Sequence, residues 1–471
     1  MKCLFTAKYK LSLVLLFLLS VPLVSQDWPM WGGDPQRNMF SSIKNLPSTW
    51  DVNSGKNIKW KVDLGSTSYG NPIISDGKIF LGTNNDNPKN PAITGDKGVL
   101  MCLREADGKF LWQAISDKLS SGYDWPEQGV CSSPAVEGKR LYYVTNRGEL
   151  VSLDTEGFLD GKNDGAFQEE THKGPTDADI IWKLDMRKEL GILQHNMANS
   201  SPAIWGDLLF IETSNGRDEN DEKVVAPLAP SFIAVDKSTG KVAWQDNSPG
   251  DRILHGQWSS PALGEVAGTM QVFFPGGDGW LYGFEAKTGK KLWKFNLNPK
   301  DAVWPKTLNY IISTPVFYDG KIFIASGQDP ENGEGIGHMY CIDPSKSGDI
   351  TESGRVWHYD KIRRSISTAA IADGLVYISD YTGFLHCLDV NSGKPYWTYD
   401  MLAAIWGSPF AADGKVYLGD EDGDLAIFQA GKELKQIAEI NMASAAYGTP
   451  VAANGVLYIM TRNAIYAISA Q

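Results

Sequence analysis

Residues 231–246 read SFIAVDKSTGKVAWQD, and residues 383–400 read GFLHCLDVNSGKPYWTYD, two versions of one pattern about 150 positions apart. The pattern returns as GVLMCLREADGKFLWQ (98–113), GELVSLDTEGFLDG (148–161), GWLYGFEAKTGKKLWKFN (279–296) and HMYCIDPSKSGDI (338–350). Each version is an alternating apolar run, an Asp or a substitute, a Gly-containing turn, and in most cases a second run carrying Trp. Alternation with period two marks strands, and Gly supplies the positive φ that a tight turn between them needs. The repeated unit is a β-hairpin.

A second pair of strands precedes each hairpin. Its signal is a small polar residue, usually Ser or Thr, followed by Pro, then Gly, then an aliphatic or aromatic run. Examples are GNPIISDGKIFLGT (70–83), SSPAVEGKRLYYVT (132–145), STPVFYDGKIFIAS (313–326), GSPFAADGKVYLGD (407–420) and GTPVAANGVLYIMT (448–461). The anchors are Pro72, Pro134, Pro202, Pro261, Pro315, Pro409 and Pro450, with Ala369 in the place of Pro in STAAIADGLVYISD. Anchor spacings run from 40 to 68 residues, against roughly 40–50 for a minimal four-stranded blade, so the excess is loop insertion. Four-stranded units repeated eight times without helical periodicity predict an all-β fold, an eight-bladed β-propeller of antiparallel blades. The last unit supplies only three strands, whereas NIKWKVDL (57–64) is an orphan fourth strand with Trp60 in the repeat position. The N-terminal strand is therefore expected to close the ring. Residues 57–471 form the propeller, 26–56 a strap, and 1–25 a leader.

The repeat tryptophans are Trp60, Trp112, Trp182, Trp244, Trp293, Trp357 and Trp397, with Ile437 read as replacing the eighth. A Trp at one recurring position packs between neighbouring blades, where its ring covers ~150–250 Å². Cys102, Cys341 and Cys387 share a slot held elsewhere by Ser152, Ala234 and Gly283. A slot restricted to small residues is a tight core position, so these thiols are expected to be buried and inert rather than paired in a disulfide framework. The acidic run GDEDGD (419–424) lacks the EF-hand order and matches the turn between second and third strands, so a solvated hairpin turn is expected there.

The opening MKCLFTAKYKLSLVLLFLLSVPLVSQDW has three lysines before an apolar run shorter than the ~20 residues that span a bilayer. It has the form of a cleaved signal peptide, which implies a periplasmic, secreted or cell-surface protein with no transmembrane segment in the mature chain. The formal charge is −12, and loss of the leader's three lysines would make it −15. An acidic surface argues against nucleic-acid binding.

In a propeller, the loops joining blades and those joining second to third strands lie on one face, and here they contain nearly all the irregular sequence. That face is the expected binding surface. Candidate ligand-binding residues just before inner strands are His195, Asn199, His255, Gln257, Trp258, Arg364 and Trp406, with Asn196 and Arg363 beside them. Trp offers flat apolar area and the amides offer direction, a combination suited to a polar ring-bearing molecule such as a sugar or quinone. Tryptophans that plug the channel are the structural alternative. No nucleophile elbow, HExxH helix, P-loop or Rossmann fingerprint is present. His195, His255 and His338 could meet only through the fold, and Asp329, Glu331 and Glu334 are carboxylates on the same face.

The hairpins IAVDKSTGKVAW and HCLDVNSGKPYW closely resemble the PQQ repeat of quinoprotein dehydrogenases and of BamB-type propellers. WPMWGGDPQRNMFSSIKNLP (28–47) resembles the strap that precedes blade 1 in these families. The resemblance implies the fold, and it implies PQQ and calcium only as cofactors of the enzymatic branch. Two of that branch's features are missing: neighbouring cysteines, and a calcium-binding Glu where the frame of ITGDKGVLMCL puts Ile93. The sequence thus favours an exported binding or scaffold propeller, BamB-like, whose partner is an envelope protein or a polar small molecule or carbohydrate. The alternative is a PQQ- and calcium-dependent oxidoreductase acting on an alcohol or sugar; a carbohydrate lyase or hydrolase ranks below it. No catalytic residue or metal ligand is assigned from sequence.

Overall fold

The computed structural model describes residues 26–119, 122–328 and 336–469. The leader at 1–25 and the carboxylates Asp329, Glu331 and Glu334 lie outside the described residues. Eight antiparallel four-stranded sheets, several with a short extra strand, form the ring; seven take their strands in chain order and the eighth borrows one from the N-terminal end. Blade 1 consists of Ile73–Ser75, Lys78–Asn84, Lys97–Arg104 and Phe110–Asp117. The inner strands of blades 2 to 7 are Ala135–Glu137, Ala203–Trp205, Ala262–Val266, Val316–Tyr318, Ala370–Ala372 and Phe410–Ala412. Blade 8 takes Val451–Ala453, Val456–Met460 and Ala464–Ile468 from the C-terminal end, and its outer strand is Ile58–Asp63. Trp60 lies opposite Ala467 and Val62 opposite Ile465. The ring closes as the orphan strand predicts.

The predicted hairpin turns have the predicted backbone: Gly240, Gly289 and Gly393 lie at φ of 72°, 71° and 67°. Each also lies against the tryptophan of the preceding blade, so that a Cβ on Gly240 would come within 2.6 Å of the Trp182 ring. The indole nitrogens complete this docking. Trp60 donates to the Glu105 carbonyl at 3.0 Å, Trp112 to Thr155 at 3.1 Å, Trp182 to Lys237 at 3.0 Å, and Trp397 to Gly431 at 3.0 Å, each on the next blade. Trp293 is the exception, donating within blade 4 to Gln271 Oε1 at 2.8 Å.

The register also explains the small-residue slot. Cys102 lies opposite Trp112, Gly283 opposite Trp293, and Cys387 opposite Trp397. The indole lies across the facing position and leaves room for little there: a Cβ on Gly283 would sit 2.1 Å from Trp293. Blade 7 reverses both choices, with Ile427 opposite Ala438. The eighth tryptophan position is therefore Ala438, not Ile437, whose side chain is exposed. The sequence reading picked the nearest large residue where the pair had exchanged sizes. The four described cysteines are free and buried, and burial pushes Cys131, Cys341 and Cys387 up to about 12, so they remain thiols at neutral pH.

At six of the eight anchors the preceding polar residue performs a second job. Its backbone N–H donates to the side-chain oxygen of its counterpart one blade on: Asn71 to Ser133 at 2.9 Å, Ser133 to Ser201 at 3.0 Å, Ser201 to Ser260 at 2.9 Å, Thr368 to Ser408 at 2.9 Å and Ser408 to Thr449 at 2.8 Å. Thr449 returns to Asn71 Oδ1 at 3.1 Å. These bonds satisfy N–H groups on short inner strands that have no neighbouring strand on the axial side.

The strap closes one end of the axial channel. Pro29, Pro35, Gln36 and Met39 carbonyls accept from Val136, Leu263, Phe317 and Ala411, each at 2.8–2.9 Å and each on a different inner strand. Arg37 is fully buried at the centre of this layer, donating to the carbonyls of Pro261, Trp31 and Ser201 at 2.8–2.9 Å. The GDEDGD run is a turn, as expected, but its first acid is not solvated. Asp420 is buried, accepts from the Asp424 N–H at 2.9 Å, and is pushed up to about 6 by that burial.

Candidate functional site

The end of the channel opposite the strap opens into a cavity of about 380 Å³. Every connection between blades contributes to its wall: Tyr69, Trp125, Asn199, Trp258, Tyr310, Arg364, Trp406 and Tyr447 come one from each of the eight. Trp31, from the strap, also lines it. The interblade connections and the second-to-third-strand loops thus share one rim, but the longest described loop does not: residues 155–179 join the third and fourth strands of blade 2 and leave from the opposite face, so the irregular sequence is not confined to one rim as expected.

The wall is an aromatic cluster with one cation. Tyr69 stacks on Tyr447 at 5.2 Å between centroids, and Trp406 packs against Tyr69, Tyr381 and Tyr447 at 5.1–5.7 Å. Burial raises the Tyr69 hydroxyl to about 12, so it stays a neutral donor. Arg364 donates to the Tyr310 hydroxyl at 3.1 Å and lies 5.8 and 5.3 Å from the Tyr310 and Tyr381 ring centres. Among the described residues no carboxylate lines the cavity. Two of its buried polar atoms, Trp31 Nε1 and Asn199 Oδ1, have no hydrogen-bond partner among the described residues.

The other candidates divide between the wall and its supports. His255 lines the cavity, but Gln257 does not: it is buried behind the wall, donating to the Asn215 carbonyl at 2.8 Å and to Ser231 Oγ at 2.9 Å. His195 is also behind the wall, with its ring 4.5 Å from that of His255 and its carbonyl accepting from Trp258 Nε1 at 3.0 Å. Asn196 shapes the loop, with φ of 60° and its carbonyl accepting from the Trp125 N–H at 2.8 Å. Arg363 is fixed through its backbone N–H to Asp380 at 3.1 Å. His338 does not join the other histidines; its Nδ1 lies 2.9 Å from His358 Nε2 in blade 5. Sequence reading missed Tyr69, Tyr310, Tyr381, Tyr447 and Trp31, although the positions just before inner strands could have found Tyr69 and Tyr447. It also missed Asp221, from the loop between the second and third strands of blade 3, whose Oδ1 lies 3.0 Å from His255 Nδ1.

With this geometry in place, comparison with known proteins decides the family. The family described as "Outer membrane protein assembly factor BamB" matches residues 27–158, 96–399 and 349–436. The chain belongs to the PQQ-like, BamB-type propeller family. Among curated relatives, it is 28% identical over 288 residues to lupanine 17-hydroxylase [cytochrome c] of Pseudomonas sp, covering 60% of this chain and 28% of the relative. It is 34% identical over 96 residues to the dehydrogenase subunit of a quinone alcohol dehydrogenase of Acetobacter aceti, covering 20% and 12%. The chain thus spans less than a third of the length of these relatives. The BamB-type fold is shared with BamB of Moraxella catarrhalis (TM-score 0.54, 14% identity, covering 87% of this chain and 96% of that one). It is also shared with the quinohemoprotein alcohol dehydrogenase of Comamonas testosteroni (TM-score 0.66, 13% identity, covering 94% and 80%). At these identities the solved structures speak for the fold of this BamB-type chain.

Proposed function

We propose that this propeller is an exported binding protein whose axial cavity takes a planar, polar ring-bearing small molecule with an anionic group. The observation that carries the reading is the wall itself: eight interblade connections converge on one cavity that combines stacked aromatic rings with a single guanidinium. Aromatic faces bind a ring, Arg364 pairs with a carboxylate, and Trp31 Nε1 and Asn199 Oδ1 offer a donor and an acceptor. Export rests on the form of residues 1–25, and among the described residues no helix is long and apolar enough to cross a membrane.

The enzymatic reading meets a poor fit. PQQ is a tricarboxylate, and among the described residues Arg364 is the sole Arg or Lys lining the cavity; calcium needs six to eight oxygen ligands, and no described carboxylate lines the wall. Ile93, at the position the resemblance gives to a calcium-binding Glu, is aliphatic and does not line the cavity, and Cys131 lines it without a neighbouring cysteine. A second reading, docking of an envelope protein, has its own support. Trp125, Val225, Leu228, Val303 and Leu402 are exposed apolar side chains in loops of the decorated rim, and large apolar residues with aromatic anchors mark protein contacts.

Calorimetric titration with quinoline-2-carboxylate, PQQ plus Ca²⁺, and a neutral aryl glucoside tests the proposal. Micromolar binding of the monocarboxylate that weakens about tenfold or more in Arg364→Met, the loss of one charge-assisted pair, supports it. Binding indifferent to Arg364→Met and Trp258→Ala, or none by any of the three, contradicts it. Preferred binding of PQQ with dye-linked oxidation of alcohols would instead establish the oxidoreductase.

A further inference from the structure

Behind the cavity wall, two connections and one insertion bring together three side chains that the ring-ligand reading does not use. Asp221 Oδ1 lies 3.0 Å from His255 Nδ1 and 4.0 Å from His195 Nε2, and the three atoms all lie within 4.8 Å of one another. His255 Nδ1 and Asp221 Oδ1 are buried and face each other at ion-pair distance, and Arg217 Nε reaches the same oxygen. Two imidazole nitrogens and a carboxylate oxygen gathered this closely are spaced as ligands to a common centre. A tetrahedral zinc with bonds near 2.0–2.1 Å places its ligand atoms about 3.3 Å apart, and the observed separations bracket that value.

The geometry points to a divalent transition-metal site of the zinc class formed by His195 Nε2, His255 Nδ1 and Asp221 Oδ1 at the edge of the axial cavity. The surroundings fit. His195 Nδ1 lies 3.3 Å from the Arg217 carbonyl, a contact that fixes the proton on Nδ1 and leaves the Nε2 lone pair for a metal. Trp258 stacks beside His195, and its bond to the His195 carbonyl holds the loop. Two imidazoles and one carboxylate suit zinc, nickel or copper rather than calcium or magnesium. Arg217 opposes the cation, with Nε 3.6 Å from Asp221 Oδ1. Its guanidinium is also held by the carbonyls of Leu254 and Glu222, and it shares its loop with Asp218, Glu219 and Glu222, which offset its charge. Three protein ligands leave a further coordination position, and His255 belongs to the cavity wall as well as to the cluster.

The test uses the full protein stripped with chelator and titrated with Co²⁺ alone, so its outcome is independent of any organic ligand. Visible d–d absorption saturating at one Co²⁺ per chain, displaced by Zn²⁺, is expected. Asp221→Asn and His195→Gln should weaken binding at least ~100-fold, the scale of lost metal-site groups, with unchanged near-ultraviolet dichroism showing that the fold persists. Absence of the bands in the folded wild type overturns the site, and so do bands of undiminished affinity in both variants. Asp221 lies on a partly exposed loop, so its amide variant leaves the blades intact.

Discussion

Single residues here answer to two demands, ring symmetry and local burial, and Trp112 and Glu212 show them apart. Trp112 is fully buried, meets Cys102 across its own sheet and donates to the Thr155 carbonyl of the next blade. Trp112→Ala removes the ring and that bond together and is expected to cost ~3–5 kcal/mol in urea unfolding. Glu212, in the second strand of blade 3, is also fully buried, and neither carboxyl oxygen has a well-formed partner. Burial raises its pKa well above the ordinary value, with the Ser259 N–H offsetting only part. Between the unfolded and the raised folded pKa the native state binds the extra proton, so stability falls as pH rises through that window. Glu212→Gln, which keeps the shape and removes the titration, should raise Tm at pH 8 and leave it nearly unchanged at pH 4. A Tm shift equal at both pH values would contradict the assignment. The tryptophan was legible in the sequence because its role repeats; Glu212 was not, since one acid inside an apolar strand carries no period.

Elements are held by pairs and layers that cross blade boundaries. Blade 7 carries the inverted pair Ile427 and Ala438 where other blades carry a small residue and Trp. Ala438→Trp alone should destabilise by ~1–3 kcal/mol through overpacking, and adding Ile427→Ala should recover much of that loss, a coupling visible in a double-mutant cycle. The strap is an element of the same kind. Arg37 joins it to the inner strands of blades 3 and 4 through the Ser201 and Pro261 carbonyls, so Arg37→Met, which strands those acceptors, is expected to cost ~2–5 kcal/mol in denaturant unfolding. The strands, their order and the closing strand were readable because hydrophobic alternation and turn glycines are local signals. The polar residue before each anchor was readable as a marker but not as part of a series of hydrogen bonds between blades, because its partner lies one blade away. Gln257 was misplaced onto the wall for the same reason: a residue just before an inner strand can face the cavity, like Trp258, or turn behind it.

At the scale of the molecule, radial closure converts eight unrelated connections into one site. The sequence showed which face the interblade connections share; it did not show that Tyr69 and Tyr447, 378 positions apart, would stack, or that the long insertion at 155–179 leaves from the other face. Asp221 was beyond reach, since it sits in an insertion with no repeat frame to place it. The proposed function rests on the convergence of these loops around the cavity that Arg364 faces. A crystal structure of the protein grown with quinoline-2-carboxylate tests it most directly. Ring density in the cavity walled by Tyr69, Trp258 and Trp406, with its carboxylate within hydrogen-bond distance of Arg364, is the predicted result; a cavity holding only water at saturating probe, or density elsewhere on the ring, would contradict it.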